Sequence, residues 1–283
     1  MNQEATELLR WQKEPRLRRA SPISYYMIEA TEQALSACPG VDRNRVGVIA
    51  TFFLGCLVYS VRFYRQITEE GRRFSSPVLF PETVFNSPLS HVVSTLKLGG
   101  PVYSQIGDKT CWVSALRTAQ CWLASGQCEH VIVLGAEEFE PHEVEAFHAG
   151  GLLREGLNPC EGAIAILCGR EQKNKPSIGG MVDGYSFASR RDATRAASAC
   201  LDQFPVDSPI LDTAKGWTRR TAASLSLDRT LVGHASDANE GFTMSAAADT
   251  LRAMQWLEKA KAESVVVPVW GLTNFIAAYR VAA

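Results

Sequence analysis

The sequence is poor in the residues that metal and redox sites are built from. It has five histidines in 283 residues, and eight cysteines, at 38, 56, 111, 121, 128, 160, 168 and 200, that form no C-x-x-C pair and no His/Cys cluster at ligand spacing. Several of these cysteines sit inside apolar runs, where the thiol serves as a small core group. A reduced, cytoplasmic protein with neither metal nor cofactor is the expectation. Excess charge is also missing: 29 Lys and Arg against 30 Asp and Glu leave a net charge of -1. That balance excludes a dedicated nucleic-acid binder, which needs a basic surface to displace phosphate counterions. Uncharged apolar runs of membrane-spanning length are lacking, and the opening residues MNQEATELLRWQKEPRLRR hold no apolar signal core, so no membrane insertion is expected.

What is present is a large apolar fraction, 46%, organised by period. Residues 22–37 space their apolar positions as one helix, stopped by Cys38-Pro39-Gly40. Residues 45–54, RVGVIATFFL, form an unbroken apolar run that suits a strand covered on both faces, followed by a helix as far as Gln66. A helix is expected from about Asn86 to Leu98, then a short strand VYSQIG, then a helix from about Lys109 to Ser125 with Gly126 as its stop. The runs VIVLGAEE, 163–169 and 265–269 read as buried strands, with a helix from Gly241 to Ala262 between the last two. Alternating buried strands and helices predict an α/β architecture.

Five segments, in order, resemble the signature blocks of the β-ketoacyl synthases. They are FPETVFNSPLSHVVSTLKLGGP at 80–101, IGDKTCWVSALRTAQCWLASGQCEHVIVLGAEE at 106–138, CEGAIAILCGRE at 160–171, LVGHASDANEG at 231–241 and VWGLTN at 269–274. The resemblance implies a thiolase-like fold of two βαβαβαββ halves in five layers, here 1–173 and 174–283 within one compact unit. It also implies a dimer built through the strand just before the nucleophile, about 101–107. The family's first strand and helix have no counterpart, and the stretch from Glu138 to His234 is shorter than usual, so both halves are expected to be truncated.

The same resemblance exposes missing chemistry. A condensing enzyme needs a cysteine thiolate at a helix N-terminus, where the macrodipole favours the anion, and two histidines beside it. Counting without gaps from Gly100-Pro101 places Lys109 at the nucleophile position. Cys111, two residues on, is the fallback nucleophile, but that frame turns Ala115 and Ala119 by about 200° around the helix. Lys215, in Thr213-Ala214-Lys215-Gly216-Trp217, stands where the first histidine belongs, and His234 of Gly233-His234 matches the second. Arg229 is a candidate substitute for a family lysine, and Trp270 for a gating phenylalanine.

The resemblance therefore points to a catalytically inactive partner subunit, the chain length factor of type II polyketide systems. Such a subunit pairs with an active ketosynthase and narrows its acyl tunnel. Candidates for the tunnel floor are Phe52, Phe53, Leu57, Tyr59 and Phe63, with ordinary core packing the alternative for Phe52 and Phe53. Short subunits of this kind are associated with aryl polyene pigments. An acyl carrier protein is served through the complex, and the cluster Arg10, Lys13, Arg16, Arg18 and Arg19 is either a patch that attracts it or a solvated helix face. Two other readings stay open: a divergent active synthase or acyltransferase using Cys111, and a stand-alone carrier-protein-binding scaffold.

Overall fold

The computed structural model describes residues 10–151, 157–170, 175–189, 191–216, 218–225, 229–233 and 239–283. In chain order the N-terminal part holds α1 (Pro22–Ser36), β1 (Val46–Phe52), α2 (Leu57–Arg65), α3 (Ser87–Leu96), β2 (Val102–Ile106), α4 (Cys111–Ser125), β3 (His130–Glu137), α5 (Pro141–Ala149), β4 (Asn158–Pro159) and β5 (Gly162–Gly169). The remainder holds β6 (Ser177–Ser186), α6 (Ala193–Leu201), β7 (Ile210–Leu211), α7 (Thr218–Leu225), β8 (Leu231–Val232), β9 (Asn239–Glu240), α8 (Thr243–Ala260), β10 (Ser264–Trp270) and β11 (Phe275–Ala282).

Two sheets carry the fold. The first runs β2-β1-β3-β5 and the second β6-β11-β10-β7-β8. In the first, β1 is parallel to both β2 and β3, and β5 is antiparallel to β3. The second repeats this plan: β8, β7 and β10 are mutually parallel and β11 is antiparallel to β10. It then adds β6, antiparallel to β11 on the outer side. A strand equivalent to β6 is absent from the first sheet among the described residues, and the gap falls outside β5.

Every residue of β1 is buried, as the unbroken apolar run requires of a strand covered on both faces. On one side α1 and α3 bury Ile23, Met27, Ile28, Leu89 and Val92 against the first sheet. On the other, α4 and α8 share one core with both sheets, joining Ile49, Val113 and Val133 to Val265, Val267 and Tyr279. The outer face of the second sheet is covered by α6 through Ala193, Ala197 and Leu201. Helix, sheet, helices, sheet, helix is the layering, and Gly135 is one of its hinges. A Cβ there would lie 2.5 Å from the Thr243 carbonyl oxygen, so only glycine lets α8 start this close to β3.

Several elements depart from expectation. The helix after β2 starts at Cys111, because Asp108, Lys109 and Thr110 form the turn that enters it. β6, β11 and the short helices α5, α6 and α7 were not foreseen. His234 lies outside the described residues. Among the described residues no helix is long and apolar enough to cross a membrane, and no group of His, Cys, Asp or Glu side chains is placed to hold a metal ion.

Candidate functional site

β2 and α4 meet in a turn that faces the end of β10 and the start of α8. Asp108, Lys109 and Thr110 occupy it, and each of the first two side chains reaches across to the second half of the chain. The Asp108 carboxylate accepts hydrogen bonds from the backbone N–H of Thr273 at 2.7 Å and from its hydroxyl at 2.6 Å. A Cβ at Gly271 would collide with that carboxylate, so a larger residue there would have to displace Asp108.

The Lys109 ammonium lies 2.9 Å from the Glu240 carboxylate, with the two side chains only 7% and 2% exposed. The other Glu240 oxygen accepts from the Phe242 backbone N–H at 2.8 Å. Burial works against the charged lysine, but the carboxylates of Glu240, Asp249 and Asp108 more than offset it and raise its pKa above the ordinary value. Burial also lifts Asp249 to about 6, against the pull of Lys109, Arg252 and Lys215. The lysine is thus held as a cation paired with Glu240, which disqualifies it as a nucleophile or a base.

Cys111 sits on the first turn of α4, where the helix end alone favours a thiolate. The surroundings reverse this: burial first, then the carboxylates of Glu137 and Asp108, push the thiol pKa well up. Lys215 is half-buried beside the same cleft, its ammonium donating to the Asn239 carbonyl. Arg229 points elsewhere, bonded to Asp202 and the Pro205 carbonyl.

Lys109, Lys215, Thr213, Glu240, Trp270 and Leu272 line a narrow cleft whose enclosed part has room for water and not for an acyl chain. Trp270 is 5% exposed, and its indole N–H has no partner there. The five floor candidates do not form one wall. Phe53 and Leu57 join Phe139, Phe147, Phe242 and Leu272 in an aromatic cluster next to the cleft, with the Phe53 and Phe242 rings 4.8 Å apart. Phe52, the last residue of β1, has no exposed surface and packs in the core between the first sheet and α1 and α3. The Tyr59 hydroxyl turns to the Ala20 carbonyl, and Phe63 packs on Phe80, 5.5 Å between centroids.

Glu137 and Glu138, at the end of β3, were not foreseen as special. Glu137 accepts the backbone N–H groups of Phe53 and Leu54 and the hydroxyl of Thr243, and burial lifts its pKa to about 7. Glu138 accepts from the Ile23 N–H, and burial, helped by Glu161 and Glu143, lifts it to about 8. A carboxyl whose folded pKa is raised holds its proton better folded than unfolded. Its contribution to stability is full below the ordinary glutamate pKa and is lost as the pH climbs to about 8. Glu138→Gln removes that loss while keeping an acceptor for Ile23, so the variant should melt higher than the parent by about 3–6 °C near pH 9 and at the parent's temperature near pH 4. Thermal melts at both pH values check this; equal shifts at both would show that folding does not raise the pKa of Glu138.

No protein-family model matches the chain, and no curated protein does. Solved structures do. The ishigamide ketosynthase/chain length factor superposes over 97% of this chain and 84% of its own, with a TM-score of 0.79 and 17% identity. The chain has the ketosynthase fold. A β-ketoacyl synthase from Burkholderia phymatum STM815 gives 0.76 at 14% identity over 96% of this chain and 84% of that one. A type II polyketide acyl carrier protein in complex with its ketosynthase, AntDE:AntF, gives 0.71 at 15% identity over 95% and 86%. Within this thiolase-like ketosynthase fold, the described part of the first sheet lacks one edge strand and the second keeps five.

Of the site residues expected from sequence, Lys109, Lys215 and Trp270 come together, with Phe53 and Leu57 in the adjoining cluster. Glu240, the partner of Lys109, was missed. Its only signal was an acidic residue directly before Gly241 in a segment otherwise read for its histidine.

Proposed function

We propose that the chain is a non-catalytic ketosynthase-like subunit, a chain length factor, with 1–173 and 174–283 as its two thiolase-like halves. The observation that carries this reading is the Lys109–Glu240 pair: where a condensing enzyme presents a thiol, this chain buries an ammonium that its own carboxylate neutralises. The nearest thiol, Cys111, is disfavoured as an anion by Glu137 and Asp108. The likeness to a ketosynthase/chain length factor structure supports the same reading.

The pairing surface proposed is the free edge of β2. Val48 donates to the Pro101 carbonyl and Gly107 to that of Phe52. In a parallel ladder this alternation turns the N–H groups of Val102, Ser104 and Ile106 outward. Val102, Tyr103 and Ile106 are each about half exposed, at 46%, 49% and 50%. An active ketosynthase adding its own strand here would extend the sheet across the interface and cover those side chains. Phe53, Leu57 and the rings packed on Phe53 are then the volume that limits the partner's acyl chain, at about 0.8 kcal/mol for each methylene gained or lost. The products served are of polyketide, aryl polyene or fatty-acid type, delivered by an acyl carrier protein bound to the complex in the cytoplasm.

Coexpression with an active ketosynthase tests the role. The two chains should copurify, and elongation should require both and survive Cys111→Ala with at least half the parental rate. Loss of elongation in a folded Cys111→Ala complex, with an acyl adduct on Cys111 in intact-protein mass spectrometry, would replace this reading by the active-synthase one. Failure to copurify with any ketosynthase would leave the carrier-binding scaffold.

A further inference from the structure

The two sheets repeat each other strand for strand except at one place. β11 is flanked by β10 on one side and β6 on the other, whereas its counterpart β5 has β3 on one side and, among the described residues, nothing on the other. This open edge is opposite to β2 in the sheet, so it is a separate surface from the pairing edge proposed above, and its presence does not depend on that pairing. The strand that bears it, Gly-Ala-Ile-Ala-Ile-Leu-Cys-Gly, is uncharged and without proline. Chains normally protect such an edge with charges, bulges or a cover.

We propose that the outer edge of β5 receives one extended segment of another protein, running antiparallel to β5 as β6 runs to β11, basic at its C-terminal end and acidic at its N-terminal end. The direction follows from the repeat. The charge pattern follows from what flanks the slot: an antiparallel segment ends beside Gly162, next to exposed Glu161, and begins beside exposed Arg170. Tyr26 of α1 holds Glu161 at this end by a 2.8 Å hydrogen bond. Small residues line the neighbourhood, with Ala30 and Ala34 of α1 and Ala163 and Ala165 of β5 half-buried.

A second copy of this chain is the poorer occupant. α1 packs chiefly on β5 and less on β3, so its axis stands near the sheet edge. Two copies paired β5 to β5 about a two-fold axis normal to the sheet would set their α1 helices closer than the ~8–10 Å packed helices need, since paired strands lie only ~5 Å apart. A bare strand meets no such obstacle, and strand addition of this kind takes its affinity from main-chain hydrogen bonds.

The test uses the full 283-residue chain and a blocked ten-residue peptide, Glu-Val-Thr-Val-Thr-Val-Thr-Val-Lys-Lys, beside its order-reversed control. In the free chain, hydrogen exchange should find every second amide of 163–169 fast and the others slow, because alternate N–H groups of an edge strand face outward. The peptide should slow the fast set, the reversed control should bind about tenfold more weakly, and Glu161→Lys should cancel the preference between them. Equal binding of the two peptides, or none, would overturn the proposal. So would outward amides already as slow as those of β10 in the free chain, which would mean the chain covers its own edge. Protection that rises with protein concentration alone would assign the edge to a second copy and overturn it too.

Discussion

Lys109→Met should lower the thermal midpoint of the folded chain by about 10 °C, because removing one partner of a buried ion pair leaves the other charged and dry, at a cost of ~3–5 kcal/mol. Glu240 is the group left stranded, with 2% of its side chain exposed. Pairing the change with Glu240→Gln should recover more than half of the loss: the amide oxygen still accepts from Phe242 and no charge remains to be solvated. Urea melts of the parent, the two single variants and the double variant complete the cycle, and a coupling energy near zero would show that the pair does not hold the turn between β2 and α4. A stabilised Lys109→Met variant would count against the proposed role as well, since the ammonium would then be an expensive ornament of the site.

Ser104→Pro should abolish copurification with a ketosynthase while leaving the subunit folded, a loss of at least about a hundredfold in affinity. The alternation fixed by Val48 and Gly107 turns the Ser104 N–H away from β1, so proline there deletes a donor only from the open edge. Tyr103→Pro is the contrasting variant, because its N–H points into the ladder with β1 and its loss should unfold the strand. Circular dichroism of both variants and pull-down against the coexpressed ketosynthase separate the two effects. Intact pairing in Ser104→Pro would move the interface off β2.

The long elements were legible because their patterns are local. β1 is an unbroken apolar run, α1 has a helical apolar period and a Pro-Gly stop, and α4 ends at Gly126 in a left-handed conformation, as its glycine suggested. β6 was invisible for a physical reason: Ser-Ile-Gly-Gly-Met-Val-Asp-Gly-Tyr-Ser carries three glycines and little β propensity, and becomes a strand only by pairing with β11. β11 itself alternates poorly because four consecutive residues are buried on both faces. In the candidate site, the substitution at Lys109 could be read from a motif count, yet its meaning could not. Glu240 is 131 residues away, and no periodicity connects a lysine to a carboxylate across that distance.

Helix α8 belongs by sequence to the second half and by packing to both. Its first residue, Thr243, donates to the Thr51 carbonyl at the end of β1, and its side chains complete the core shared by the two sheets. During synthesis the first sheet therefore emerges with the face toward that core only partly covered, by α4, and waits for about 75 further residues before α8 begins to close it. A nascent chain in that state is a natural client for a chaperone, and cutting the gene between the two sheets should yield an insoluble first fragment even though its strands are all present.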